Sequence, residues 1–450
     1  MRIASHSLLA IPVVTALLGC SDDRSAAEAD SPGIDAGTAG EDTDESLGDS
    51  GNEDDPKLDM QDADAGENVG DCGVSGGGQD EETAFSIIWI ANTTEGTVSK
   101  VDTVTAVELA RYATGPDAPD PSRTSVNLFG DVAIANRSGS VVKIAAEIEN
   151  CIDLDQDGEI TTSQGPDDVL AWGTDECVLW YQDVGFNNGN GANANQGGPR
   201  AIAWDAGEPG PDGCPKNPTL WVGWRNQPDE AVKIRRFDGE TGMTLGEVDV
   251  PDWQQNWGHG TYGGATDKHR AFWGLGTLGT LVRVDPQTLA VTRWDNPEQG
   301  RVVYGIALDQ AGDPWLAGWD GSLWRFDVAA ETWEDRGQVG EPGRLRGLAL
   351  DQHGHAWIAG NDPCGLIRYD TIAGQPVSAM IELPGCQEPV GVSIDAEGFV
   401  WVVDRGAEVA YKIDPDTQAV AAIVEGLVDP YTYSDMTGAG LDLVVNPPVG

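Results

Sequence analysis

Carboxylates at Asp153, Asp155 and Asp157 alternate along the chain and run directly into Gly158-Glu159-Ile160-Thr161. Acids at alternate positions aim several oxygens at one centre, the glycine permits the turn, and a following carbonyl adds a ligand, as a hard cation such as calcium requires. The twelfth position of such a loop, ordinarily a bidentate acid, is Gln164, and the candidates to replace it are Asp167, Asp168 and Asp175, just downstream. The expected structural calcium ligands are therefore Asp153, Asp155, Asp157, Glu159 and Asp168. The plainer reading is an acidic turn.

A second set of chemical groups is spread over the chain. Arg200, Tyr262, Tyr304 and Arg346 each stand five residues before an aspartate, at Asp205, Asp267, Asp309 and Asp351. The same offset gives Val390 before Asp395, and Ser122 beside Arg123 before Asn127. A guanidinium pairs bidentately with carboxylate or phosphate, so these side chains gathered at one place would bind an anionic or hydroxylated ligand. The alternative is structural: the arginines pair with acids of the domain or cap its carbonyls. Among the histidines, His269, His353 and His355 fall in polar turns, and only His259, within Trp257-Gly258-His259-Gly260, is a weak candidate catalytic base. The sequence holds no Gly-x-Ser-x-Gly elbow, zinc helix or phosphate-binding glycine loop.

The elements that must carry these groups are short strands. Trp315-Leu316-Ala317-Gly318 is preceded by Tyr304-Gly305-Ile306-Ala307-Leu308-Asp309 and followed by Leu323-Trp324-Arg325-Phe326-Asp327. The unit returns around Trp357 and Trp401, at steps of 42 and 44 residues, and its cue is found earlier at Trp273, Trp221, Val132 and Trp89. A period in the forties, built of short strands and Gly/Asp turns, is that of propeller blades, which bury their faces only by stacking around an axis. The fold class read from it is all-β, a seven-bladed β-propeller over residues 84–450. The long gap between Val132 and Trp221 is read as an insertion at 147–176, carrying the acidic loop, rather than an eighth blade. The first unit lacks its leading strand, and Tyr431 to Gly438 aligns with Gly391 to Gly398, so the C-terminal strand is expected to close the ring around 430–445.

Composition sets the surroundings. The formal net charge is −49, which repels nucleic acid and anionic bilayers and excludes both as partners of the domain. Residues 20–83 are acidic and lack apolar periodicity, the pattern of a disordered linker. Arg2, an apolar run from Leu8 to Leu18 and then Gly19-Cys20 read as an export signal spanning 1–19, too short for a membrane span. The small residues leading into Cys20 resemble the lipobox of bacterial lipoproteins, which implies cleavage before Cys20, its lipidation, and membrane attachment through the lipid (palmitate) anchor alone. With Ser21 and Asp22 following, the resemblance implies an exported lipoprotein at the outer membrane, on its periplasmic or surface face. Six cysteines then remain for an oxidising compartment. Spacing does not prove connectivity. Local pairing favours Cys151 with Cys177 and Cys364 with Cys386, which would leave Cys72 with Cys214.

Two further resemblances follow from these motifs. The acidic loop resembles the calcium loops of EF-hands and dockerins. The repeat, with Tyr-Gly-Ile-Ala-Leu-Asp-x-x-Gly-x-x-Trp and Arg-Phe-Asp or Lys-Ile-Asp third strands, resembles streptogramin lyases, the virginiamycin B lyase type of seven-bladed propeller. That resemblance implies opening of a small cyclic ester by elimination, with magnesium as cofactor and a histidine directly before Gly-Ile in an inner strand. Here that slot holds Arg200, Tyr262, Tyr304, Arg346 or Val390, and His259 lies three residues out of register. The expectation is accordingly a monomeric, lipid-anchored scaffold that binds a small molecule or protein at a channel mouth, with a lyase of the streptogramin type as the alternative.

Overall fold

The computed structural model describes residues 86–446, except 188–195, 212–213, 227–230, 255–256, 299–301 and 341–342. The signal at 1–19, Cys20, the acidic stretch to 83 and Cys72 lie outside the described residues.

Alternating short strands separated by tight turns fold into seven antiparallel sheets, the blades, each meandering outward from the axis. The innermost strands are Pro121–Val126, Ala201–Trp204, Thr261–Thr266, Val303–Leu308, Arg344–Leu350 and Pro389–Ile394 in blades two to seven, and consecutive ones are neighbours around the channel. Blade one has three strands, Ile87–Asn92, Thr97–Asp102 and Val107–Ala113. Its inner place is taken by the C-terminal tail: Asn92 bridges Pro430, Trp89 N donates to Met436 O at 3.0 Å and Thr93 N to Asp429 O at 3.3 Å. The expected closure is therefore present over 429–436. Beyond it the chain departs from the expected strand and forms a helix, α1, Ala439–Val445, capped by Asp435, whose Oδ1 accepts from Gly438 N at 2.8 Å and whose Oδ2 accepts from Leu441 N at 3.0 Å. Leu441, Leu443 and Val444 bury against the inner strands. Burying three apolar side chains outweighs the β preference of the short Val-Val run.

In blades four to seven the aspartate of the repeat locks the sheet. Asp309 Oδ1 accepts from the turn amides of Ala311 and Asp313, while Oδ2 accepts from Trp315 Nε1 at 2.9 Å and faces Arg325. Asp267 with Trp273 and Arg283, and Asp395 with Trp401 and Lys412, repeat the arrangement, and Asp351 with Trp357 shares its indole contact. A buried carboxylate is tolerated because both oxygens are satisfied. The insertion of blade two is closed by the Cys151–Cys177 disulfide, and Cys364 pairs with Cys386, both as local spacing favours. Cys214 is disulfide-bonded.

A cavity of about 70 Å³ lies under α1 and is lined by inner-strand residues such as Ile202, Ile306 and Leu348 with Leu441. The locking aspartates follow the inner strands toward this end. The strand starts, with the arginines and tyrosines, face the other.

Candidate functional site

Five of the inner strands carry a register shift at or beside the residue picked out by the five-residue offset. Pairing with the second strand skips Ser122, Tyr262, Tyr304, Arg346-Gly347 and Val390. A bulge leaves one residue unpaired and re-aims its side chain, and here Tyr262, Tyr304 and Arg346 meet at the channel mouth. Arg200, immediately before its strand, reaches the same place: its guanidinium carbon lies 5.4 Å from the Tyr262 ring centre.

The four expected ligand-binding residues are thus brought together. Tyr262 and Tyr304 have ring centres 4.9 Å apart, and Arg346 packs 4.9 Å from the Tyr304 ring. Arg346 is fully engaged, donating to Tyr304 Oη at 2.9 Å, Asn361 Oδ1 at 2.9 Å and Glu388 Oε1 at 2.7 Å. It therefore holds the mouth together, as the structural reading of this arginine requires. Val390 is buried core, and Ser122 is a buried hydroxyl without a partner.

Several members of the cluster were not among the expected ligand-binding residues. The tail contributes Tyr431 and Tyr433, because the five-residue offset before Asp435 falls on Pro430. Tyr431 Oη lies 2.8 Å from Tyr262 Oη and 3.3 Å from Tyr433 Oη, and hydrogen-bonds Tyr304 Oη. Arg123, the residue after the bulge of blade two, is 1% exposed. Its guanidinium carbon lies 3.2 Å from the Tyr433 ring centre and 4.9 Å from that of Tyr262. It donates from Nη1 to Tyr433 O at 3.1 Å, while Nε and Nη2 have no partner among the described residues. Arg137, Arg225, Trp319 and Arg405 each directly follow the second strand of a blade. In an antiparallel pair that end lies beside the start of the inner strand, as Pro121↔Asn136, Val303↔Gly318 and Pro389↔Asp404 place it. That shared position is the sequence signal that would have found them. Arg137 and Arg405 lie 5.4 and 5.2 Å from the Tyr431 ring. They are balanced in part by Asp120, and by Asp429 and Glu388.

The electrostatics are those of a positive mouth. His259 packs 4.8 Å from Tyr262, and its Nδ1 has no partner among the described residues. Burial, and then the charges of Arg200, Arg123 and Arg137, push its pKa down to about 2. An imidazole so reluctant to take a proton is an ineffective base near neutrality. Burial works against ionisation of Tyr431, but Arg200 and the hydroxyls of Tyr262, Tyr304 and Tyr433 outweigh it and bring this phenol down to about 8. Burial pushes Tyr262, Tyr304 and Tyr433 up. At the rim Trp257 is 52% exposed and meets Trp319 edge-on at 6.4 Å.

The acidic loop lies apart from this mouth. Asp153 takes the amides of Gln156 and Gly158, at 2.6 and 3.0 Å, and the loop folds back on Glu176, which accepts from Leu154 N and Thr161 N at 2.6 and 2.7 Å. Carboxylate oxygens of Asp153, Asp155 and Glu176 lie within 4.8 Å of one another, and Asp157, Glu159 and Asp168 stand outside that group. Asp168 meets the loop through its backbone, accepting from Gln164 N at 3.3 Å. Asp175 is occupied by Thr162 and Ser163. The acid grouped with Asp153 and Asp155 is thus Glu176, beside the disulfide cysteine Cys177, while Asp175 holds the loop's Thr162 and Ser163.

No protein-family profile matches the chain, and no curated protein matches it. Among solved structures it is similar to a streptogramin B lyase, with a TM-score of 0.50 and 12% identity, covering 71% of this chain and 87% of that one. It is also similar to a functionally unknown protein from Desulfotomaculum acetoxidans, with a TM-score of 0.51 and 10% identity, covering 77% of this chain and 98% of that one. At these identities the likeness is one of architecture: the chain is a seven-bladed β-propeller with the fold of streptogramin B lyase.

Proposed function

We propose that the protein is a lipid-anchored, extracytoplasmic binding propeller that holds an anionic ligand, carboxylate, sulfate or phosphate, at the Arg–Tyr mouth of its channel. Export and attachment rest on the leader and Cys20, and the disulfides fit an oxidising compartment. The acidic loop, with Asp153, Asp155 and Glu176, is proposed as a structural calcium site, since carboxylates fixed by the backbone present oxygens to one centre. Elimination of the streptogramin lyase kind has no supporting base at His259.

The observation that carries the binding reading is Arg123. A buried guanidinium is expensive unless paired, and Nε and Nη2, the two donors of one bidentate face, have no partner among the described residues. In a chain of net charge −49, a positive mouth with such an uncompensated donor pair is built to receive an anion. The test is Arg123→Met followed by thermal melting with and without sulfate and galacturonate. Removing an unpaired buried charge is expected to leave the melting temperature unchanged or raise it by about 1–3 °C, while the anion-induced rise seen in the wild type disappears. No anion-induced rise in the wild type, or a collapse of stability in Arg123→Met, would overturn the reading.

A further inference from the structure

A count of protons at the four phenols carries the anion-binding reading further. Each phenol has one proton to give. Arg346 Nη1 donates to Tyr304 Oη at 2.9 Å, and a guanidinium accepts nothing, so the Tyr304 proton is available to its phenol neighbours, Tyr431 and Tyr262. Tyr262 also meets Tyr431 Oη, at 2.8 Å. With the Tyr304 and Tyr262 protons both turned to the Tyr431 oxygen, the Tyr431 proton is left for an acceptor outside that pair. Tyr262, Tyr304 and Tyr433 are buried and Tyr431 is partly exposed, so of the four it is the one that meets an arriving molecule.

We propose that Tyr431 is the ligand-facing hydroxyl of the mouth, giving its proton to an oxygen of a bound carboxylate, sulfate or phosphate, and that anion binding is thereby linked to pH. The inference rests on the anion-binding reading above. Without an anion the third neighbour, Tyr433 at 3.3 Å, completes a ring of three hydroxyls able to serve one phenolate oxygen. The charges facing it come from every side. Arg137, backed by Asp120, lies on the blade-two turn, and Arg200 stands before the inner strand of blade three. Arg405 lies on the blade-seven turn with Asp429 and Glu388. Arg123 sits against Tyr433, and Arg346 acts through Tyr304. His259, held neutral, packs on Tyr262.

A Tyr431 phenolate has no proton to donate and repels the ligand, so an anion binding above the range of this phenol must draw one proton from water to the Tyr431 oxygen. With Tyr431 brought down to about 8, affinity falls as pH rises through that value. Isothermal titration of the full chain with sulfate and with galacturonate, whose charges do not change between the two conditions, reads this directly. The wild type is expected to bind about tenfold more weakly at pH 9 than at pH 7, and addition of anion at pH 9 should reduce its tyrosinate ultraviolet absorbance. Tyr431→Phe, with its melting temperature checked, should bind more weakly at pH 7 and lose the tenfold change. Identical pH dependence in the two proteins, or anion binding at pH 9 without any loss of tyrosinate signal, would overturn the role of Tyr431 while leaving anion binding intact. No binding by the wild type at pH 7 would reject both.

Discussion

Arg123 stands where four other blades place glycine. Gly263, Gly305, Gly347 and Gly391 each follow the bulged position, and a Cβ at Gly305 or Gly347 would come within 2.6 Å of a carbonyl of the next inner strand. The repeat therefore asks for glycine on packing grounds, and an arginine there is a local rule broken at the candidate site. His259 makes the same electrostatic point through stability. Its folded-state pKa lies below the ordinary value, so between about 2 and 6.5 the unfolded chain binds a proton that the folded chain refuses. Stability from this group is complete above pH 6.5 and is lost as pH falls, by up to about 1.4 kcal/mol per pH unit. Denaturant unfolding of wild type and His259→Gln from pH 7 to pH 4 should show a shallower acid-side loss in the variant. Parallel curves would mean that the imidazole is not held neutral by its burial and the arginines around it.

Two elements depart from a plain propeller repeat, the C-terminal tail and the insertion of blade two. The tail supplies Tyr431 and Tyr433 to one mouth and then α1 to the other, so the segment that closes the ring also completes the candidate site. The insertion of blade two is pinned by Cys151–Cys177 and by Glu176. Calcium bound by the folded loop alone would stabilise the domain by mass action. Adding calcium to chelator-treated protein is expected to raise the melting temperature by about 2–4 °C. Glu176→Gln should abolish that rise and Asp168→Asn should keep it. Coincident melts with and without calcium would reject the metal reading, and a rise lost in Asp168→Asn would restore the ligand expected from the loop spacing.

At the scale of the whole molecule, the blades were legible because a tryptophan strand, an Asp turn and a cationic third strand recur, and in blades four, five and seven the Asp–Trp–cation contact is what physically locks the sheet. Strand period says which face a residue takes, so the offset from that aspartate found Arg200, Tyr262, Tyr304 and Arg346. It does not tell which residue of a bulge enters the cluster: in blade two that is Arg123, the residue after the skipped Ser122. Nor does it reach residues on turns, which is why Arg137, Arg225, Trp319 and Arg405 escaped it. The helix of the tail was illegible for another reason: seven residues carry little propensity, and tertiary burial decides their conformation.

The account stands on the claim that a strongly acidic propeller keeps one positive mouth in order to hold an anion there. A crystal structure of the full chain grown with selenate locates that anion by its anomalous signal. It should lie among Arg123, Arg200 and Tyr431, within hydrogen-bond distance of the tyrosine hydroxyl. Selenate bound only at scattered surface sites, with an acid of the chain itself closing on Arg123, would contradict it.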